Sequence, residues 1–190
     1  MEWKELGADN VFACPVFDVY RSRRVSPVGA EGDFYVLDLR DWVTVIPELT
    51  DEEGRDCFVM VEQYRHGSGQ VTMEFPAGTV DRGEDVEEAG RRELLEETGY
   101  RAGSMELLAS ISPNPALMNN TTNIYLAADL NLMGGQNLDC NEEIRFHLIP
   151  VDEVVRKMGT GMYDNAIMMT ALAFYLRRRG IAEEQPGKGV

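Results

Sequence analysis

Apolar and polar positions change rhythm twice along this chain. Between residues 14 and 78 the apolar residues come in short β-branched and aromatic runs separated by polar turns. "CPVFDVYRSRRV" alternates enough to predict a strand, and "SPVGAEGD" predicts the turn that follows. The first residues of the chain are mixed and predict nothing regular. "FYVLDLRDWVTVIP", Phe34 to Pro47, is long enough for two strands or for one bent near Asp41. "ELTDEEGR" reads as a polar hairpin loop and "DCFVMVEQYRH" as the next strand. After a "GSGQ" turn, "VTMEFPAG" reads as a short strand ending at Pro76.

The period then lengthens to that of a helix. Residues Glu84 to Thr98 are predicted helical, with Gly99 as the C-terminal cap. Gly90 inside this helix costs roughly 1 kcal/mol relative to alanine. Residues 104–112 and 122–130 read as strands, and "SPNPALMNNT" between them is too rich in Pro and Asn to be regular. "NLMGGQNLDCNEE" reads as a long loop and "IRFHLIP" as a last strand. A short helix is predicted from Asp152 to about Met158. "YDNAIMMTALAFYLRRR" is a second amphipathic helix, with Ile167, Ala171, Leu172 and Tyr175 at helical spacing and arginines near its negative end. The tail from residue 181 to residue 190 is expected to be disordered.

Composition narrows the class. At 190 residues, 44% hydrophobic and 27% charged, the chain suits one globular domain, alone or with a small appendage. A net charge of −15 leaves no basic surplus to displace counterions, so nucleic acid is not an expected partner. An anionic ligand would need a metal ion to mediate. The three cysteines, Cys14, Cys57 and Cys140, are widely spaced with no CxxC, and only His66 and His147 could serve a histidine-based site. No apolar run reaches membrane-spanning length, and "MEWKELGADN" lacks the apolar stretch of a signal peptide. No membrane partner and a cytoplasmic location are expected.

One stretch carries chemistry. Glu93 and Glu97 are four apart on one helical face and Glu96 flanks them, so three carboxylates crowd about one turn. Like charges at this spacing repel by a few tenths of a kcal/mol per pair. Carboxylate oxygens suit Mg²⁺ or Mn²⁺, with substrate phosphates completing the shell. Taken alone, such a helix could be a solvated acidic face. The pattern around it is more specific. Gly78, five residues, Glu84, seven residues, then "RELLEETGY" satisfies every fixed position of the Nudix box, Gly-x5-Glu-x7-Arg-Glu-U-x-Glu-Glu-x-Gly-U with U bulky and apolar.

The chain therefore resembles the Nudix hydrolase superfamily, from about residue 34 to residue 179. The resemblance implies an α/β/α sandwich around a mixed β-sheet. It also implies metal-dependent hydrolysis of a nucleoside diphosphate linked to another moiety. Glu93 and Glu97 correspond to the central metal ligands, Glu96 to a third carboxylate, direct or through water, and the carbonyl of Ala77 to a further ligand. Arg92 and Glu84 correspond to residues that orient the helix and its carboxylates.

The flanks "VEQYRHG" and "MEFPAG" resemble the ADP-ribose pyrophosphatase and nucleoside diphosphate sugar branch, in which Arg65 and Glu74 would line the substrate pocket. Pro115 stands where that branch carries a proline downstream of the box. Glu142, with Glu143 as second choice, matches a loop glutamate that acts there as metal ligand or general base. The resemblance thus implies catalytic roles for Glu93, Glu97 and Glu142, and metal contacts from Ala77, Glu93, Glu96, Glu97 and Glu142.

Arg65 could instead cap a strand end, and Trp42 could be a core residue, a dimer-interface residue or, with Tyr20 and Phe34 as alternatives, the platform that stacks the base. In that branch N-terminal strands pair with a second subunit. Residues 1–50 are therefore expected to be a dimerising antiparallel β region, and residues 51–180 the Nudix domain. The expected reaction is ADP-ribose to AMP and ribose 5-phosphate. Hydrolysis of GDP-mannose, ADP-glucose or another nucleotide sugar is the alternative, and a non-catalytic ADP-ribose sensor is the rival outside catalysis. "NPALMNN" departs from the branch's usual Ser-Pro-Gly, which leaves the base and the sugar open.

Overall fold

The computed structural model describes residues 1–138 and 143–180. They form two compact units. One is Met1–Asp41 with Ile111–Thr122, and the other is Trp42–Ser110 with the chain from Asn123 onward. The sequence division at residue 50 differs from this one, because the strand beginning at Trp42 belongs to the large sheet of the second unit.

The first unit is a three-stranded antiparallel meander: β1 (Lys4–Ala13), β2 (Phe17–Val25) and β3 (Glu31–Leu39). β1 replaces the patternless start read from sequence. Every residue of β1 is exposed, so burial imposes no in-out alternation for the sequence to show. The Asn-rich 111–122 segment is irregular, as expected, and its side chains do backbone work. Asn120 Nδ2 donates to the Arg40 carbonyl at 3.1 Å, and Asn119 Nδ2 donates to Asp38 at 2.6 Å. Asp41 accepts from the Thr121 N–H at 2.7 Å.

The second unit is built on a mixed seven-stranded sheet. Its strands are β4 (Trp42–Thr50), β5 (Asp56–Arg65), β6 (Gln70–Glu74), β7 (Ala77–Thr79), β9 (Ser104–Ile111), β10 (Thr122–Ala128) and β12 (Ile144–Pro150). The order is β12-β5-β4-β10-β9, with β6 on β5 and β7 on β4. A two-residue pair, β8 (Tyr100–Arg101) with β11 (Asn131–Leu132), is too short to leave a sequence pattern. β4 runs through Thr50, so the predicted polar loop shrinks to a turn in which Asp51 accepts from the N–H groups of Glu53 and Arg55.

Helices cover both faces of this sheet. Side chains alternate across a strand. Val43 and Val45 of β4 meet helix α1 (Val86–Thr98) around Gly90, where a Cβ would lie only 3.1 to 3.2 Å from them. Gly90 therefore trades helix propensity for close helix–sheet approach. On the opposite parity, Glu48 accepts from the hydroxyl of Tyr175 on helix α3 (Ala166–Arg178). Phe58 stacks edge-on against both Tyr175 and Phe75 at about 5 Å. A short helix α2 (Val151–Lys157) follows β12 directly, with Pro150 rather than Asp152 at its N-cap. The result is the α/β/α arrangement that the resemblance implied. Among the described residues, no helix is long and apolar enough to cross a membrane.

Candidate active site

α1 begins at Val86, two residues after the predicted Glu84. Asp85 caps it by accepting from the N–H groups of Glu87 and Glu88. It stops at Gly99, whose φ of 75° is left-handed and whose N–H donates to Leu95 O. Between these ends Leu94 and Ala89 are fully buried against the sheet, which fixes the helix's rotation and turns Glu93, Glu96 and Glu97 toward β7 and the surface beside it.

Arg92 organises the carboxylates. Its Nε and Nη2 form a fork on Glu84 at 2.9 and 3.1 Å. Its Nη1 reaches Glu93 at 2.8 Å and Glu96 at 3.2 Å, and Nη2 also donates to the Thr79 carbonyl. Part of the repulsion noted in the sequence is thus offset by an arginine of the same helix. The Arg92 hydrogen bonds, helped by the Asp81 N–H, hold the Glu84 carboxyl below its ordinary range. Hydrogen bonding to Glu84 raises the Arg92 guanidinium above its ordinary value. These are the contacts through which Arg92 and Glu84 meet the carboxylates of α1.

Glu97 is almost entirely buried, and its Oε2 accepts from the Ala77 N–H at 3.1 Å. Glu93 lies so close to β7 that a Cβ on Gly78 would fall 2.1 Å from its carboxyl carbon. Glu96 is the most open of the three, with its side chain 37% exposed. These groups fit a divalent cation by donor type, since all are carboxylate oxygens gathered where glycine leaves clearance. Among the described residues, no three of His, Cys, Asp and Glu already enclose a metal position.

The Arg65 and Glu74 pair takes a form the sequence did not suggest. They bind each other in a fork, at 3.0 and 2.6 Å, across the β5–β6 hairpin. Thr72 adds its hydroxyl to Glu74 at 2.6 Å. Burial pushes the Glu74 carboxyl up, and Arg65, Thr72 and Asn165 together outweigh it, leaving a lowered pKa. The β5 register places Gln63 and Arg65 opposite Thr72 and Gln70, on the parity of Val61.

Trp42 opens β4 opposite Thr79 of β7 and is half-buried, and Ala77 sits opposite Thr44. Pro115, Tyr20 and Phe34 belong to the other unit. Pro115 lies in a turn where the Asn114 carbonyl accepts from the Leu117 and Met118 N–H groups. Phe34 meets Trp3 edge-on at 5.1 Å. Glu142 lies outside the described residues, while Glu143 is exposed, 3.6 Å from Arg145.

Two contributors escaped sequence reasoning. The Asp85 cap carried a signal, an Asp three residues before Glu88. Gln136 carried none, and its amide donates to the Glu97 carbonyl at 2.5 Å.

A fold of this type, with an intact box on α1, defines a hydrolase class of the Nudix kind. The family model for the NUDIX domain matches residues 39–168, and the chain belongs to that family. It is 26% identical over 157 residues to an ADP-ribose pyrophosphatase of Bacillus subtilis, covering 82% of this chain and 83% of that one. It is 40% identical over 84 residues to a mouse ADP-sugar pyrophosphatase, 44% of this chain and 38% of the mouse protein. A crystal structure of an ADP compounds hydrolase superposes with a TM-score of 0.82 at 23% identity, covering 95% of this chain and 97% of that one, and shows the same fold.

Proposed function

We propose that this protein hydrolyses the pyrophosphate bond of an ADP-linked sugar, ADP-ribose first, giving AMP and ribose 5-phosphate. The observation that carries the reading is the clearance at Gly78. It lets the Glu93 carboxyl reach β7 beside the Glu97–Ala77 contact, bringing to one strand the carboxylate oxygens that a divalent cation takes. The relatives' printed activities on ADP-ribose and ADP-sugars support the substrate class.

Glu93, Glu96 and Glu97, with the Ala77 carbonyl, would hold Mg²⁺ or Mn²⁺. A divalent cation there supplies charge cancellation on the pyrophosphate and a more acidic attacking water. The chain's own part is positional. Arg92 bridges Glu93 and Glu96 through Nη1, and Glu84 holds Arg92. The Arg65–Glu74 fork spans the β5–β6 hairpin, with the Arg65 guanidinium a third exposed and available to an anionic substrate by exchange. Glu142 is proposed as the general base, a role worth about 10²–10⁴ in rate.

We further propose a homodimer formed through β1–β3. This three-stranded sheet exposes Leu6, Val11, Phe12, Phe34 and Tyr35, an apolar content that suits a second copy. The widely spaced thiols suit a cytoplasmic setting.

The test is a hydrolysis panel of ADP-ribose, ADP-glucose, GDP-mannose and NADH, with Mg²⁺ and with EDTA, beside Glu97→Gln. AMP release from ADP-ribose that needs the metal and falls about 10²–10³-fold in Glu97→Gln is expected, the scale of one lost electrostatic stabiliser. Preference for GDP-mannose would replace the substrate. Tight ADP-ribose binding without turnover would replace the enzyme with a sensor. Sedimentation at the mass of one 21.3 kDa chain would remove the dimer.

A further inference from the structure

The last turn of α1 carries two of the site's carboxylates, and its own carbonyls need partners. Leu94 O accepts from the Thr98 hydroxyl, and Leu95 O from the Gly99 N–H. The next two carbonyls are those of Glu96 and Glu97. Their acceptors' needs are met from a distant segment. Asn137 N–H donates to Glu96 O at 2.9 Å, and Gln136 Nε2 donates to Glu97 O at 2.5 Å. Met133 N–H adds a bond to Gly99 O at 2.9 Å. Residues 133–137 therefore strap the end of the helix. The fit is close, for a Cβ on Gly99 would lie 2.3 Å from the Gly134 carbonyl. Gly99 is thus required for its left-handed φ and for the room it leaves.

Gln136 is the side-chain member of this strap. Its amide nitrogen also donates to Ile144 O, the first residue of β12, at 3.1 Å. Two carbonyl acceptors settle which end of the amide is the nitrogen, because only NH₂ can donate twice. The side chain ties the turn that bears Glu97 to the sheet.

We propose that Gln136 is a positioning residue that sets the divalent-cation affinity of the α1 carboxylates. It touches neither cation nor substrate. It holds the backbone of Glu97 from one side while the Ala77 N–H holds its carboxylate from the other. Loss of the donor frees the last turn to fray, and the carboxylates must then be ordered at the moment of binding. This inference rests on the reading that α1 binds a divalent cation.

The experiment is Mn²⁺ titration by calorimetry on the full chain, comparing the unaltered protein, Gln136→Met and Gln136→Asn. Gln136→Met keeps the length and removes the donors, and its Mn²⁺ Kd is expected to rise about 10-fold, the usual scale for partners behind the ligands. At saturating metal, the KM for ADP-ribose should stay within about twofold, because substrate binding itself is intact. Gln136→Asn, one methylene short, should fall between, and it carries the test if Gln136→Met does not fold. An unchanged Kd in the folded variant, with or without a lower melting temperature, overturns the role of Gln136. No Mn²⁺ binding by the unaltered protein overturns the proposed function itself.

Discussion

Two arginine–glutamate forks stand in the second unit, and they are built for different ends. Arg65 grips Glu74, whose side chain is 4% exposed. Arg92 grips Glu84, whose side chain is 20% exposed, and spreads its remaining donors over Glu93, Glu96 and Thr79. Both glutamates titrate low. For Glu84 the arginine's hydrogen bonds are the leading cause, whereas for Glu74 burial leads in the opposite direction and is overcome. The first fork compensates a buried charge, and the second distributes charge across a site. Loss of the first should therefore be felt in stability, and loss of the second in activity.

The largest effect tests the buried fork. Arg65→Met strands a buried carboxylate and should cost about 3–5 kcal/mol in urea unfolding at neutral pH. Its pH dependence has a definite sign. In the intact protein the folded-state pKa of Glu74 is lowered, so the pair's stabilisation is full above the unfolded value near 4.3 and is lost as pH falls through the lowered one. In the variant burial acts with much less opposition and raises that pKa. The variant should then lose stability as pH rises through the unfolded value toward the raised one, the reverse of the parent's acid loss. A pH-independent deficit would show that Glu74 is not the group left stranded.

Arg92→Lys comes next. A lysine is a point charge that cannot reproduce a fork plus two further carboxylate bonds, so kcat/KM should fall about 10–100-fold with little change in melting temperature. A large stability loss would erase the contrast between the forks. Gly78→Ala should act on the site alone. The three atoms nearest the added Cβ all belong to the movable end of Glu93, so the fold should hold while activity drops about tenfold. The smallest effect is expected from Glu84→Gln, under about 1 kcal/mol in stability because the pair is partly open to solvent and Arg92 keeps its other acceptors. A cost matching that of Arg65→Met would overturn the comparison.

The same contrast explains what the sequence could and could not say. Arg92, Glu93 and Glu97 lie on one helix, so spacing places them together, and Glu84 sits in the turn just before the Asp85 cap, close by in sequence. Arg65 and Glu74 meet only because the β5–β6 register sets Arg65 opposite Gln70, and single-sequence patterns do not specify register without the turn geometry. The sequence pattern presents them as two pocket residues and leaves their bond to one another invisible. β1 left no trace because it has no buried face. The strap at Gln136 reads as Gly-rich loop, since its bonds to the end of α1 go to carbonyls more than thirty residues away in sequence. Asn119 and Asn120 read as irregular chain for the same reason.

The Arg92 guanidinium has five N–H bonds, and all are engaged: Nε with Glu84, one pair with Glu93 and Glu96, the other with Glu84 and Thr79 O. It is coordinatively full. An anion arriving alone at the acidic helix finds a positive charge with no hand to offer, and could gain one only by displacing a carboxylate or the Thr79 carbonyl. Entry to this surface is therefore conditional: the visitor must bring its own counter-charge.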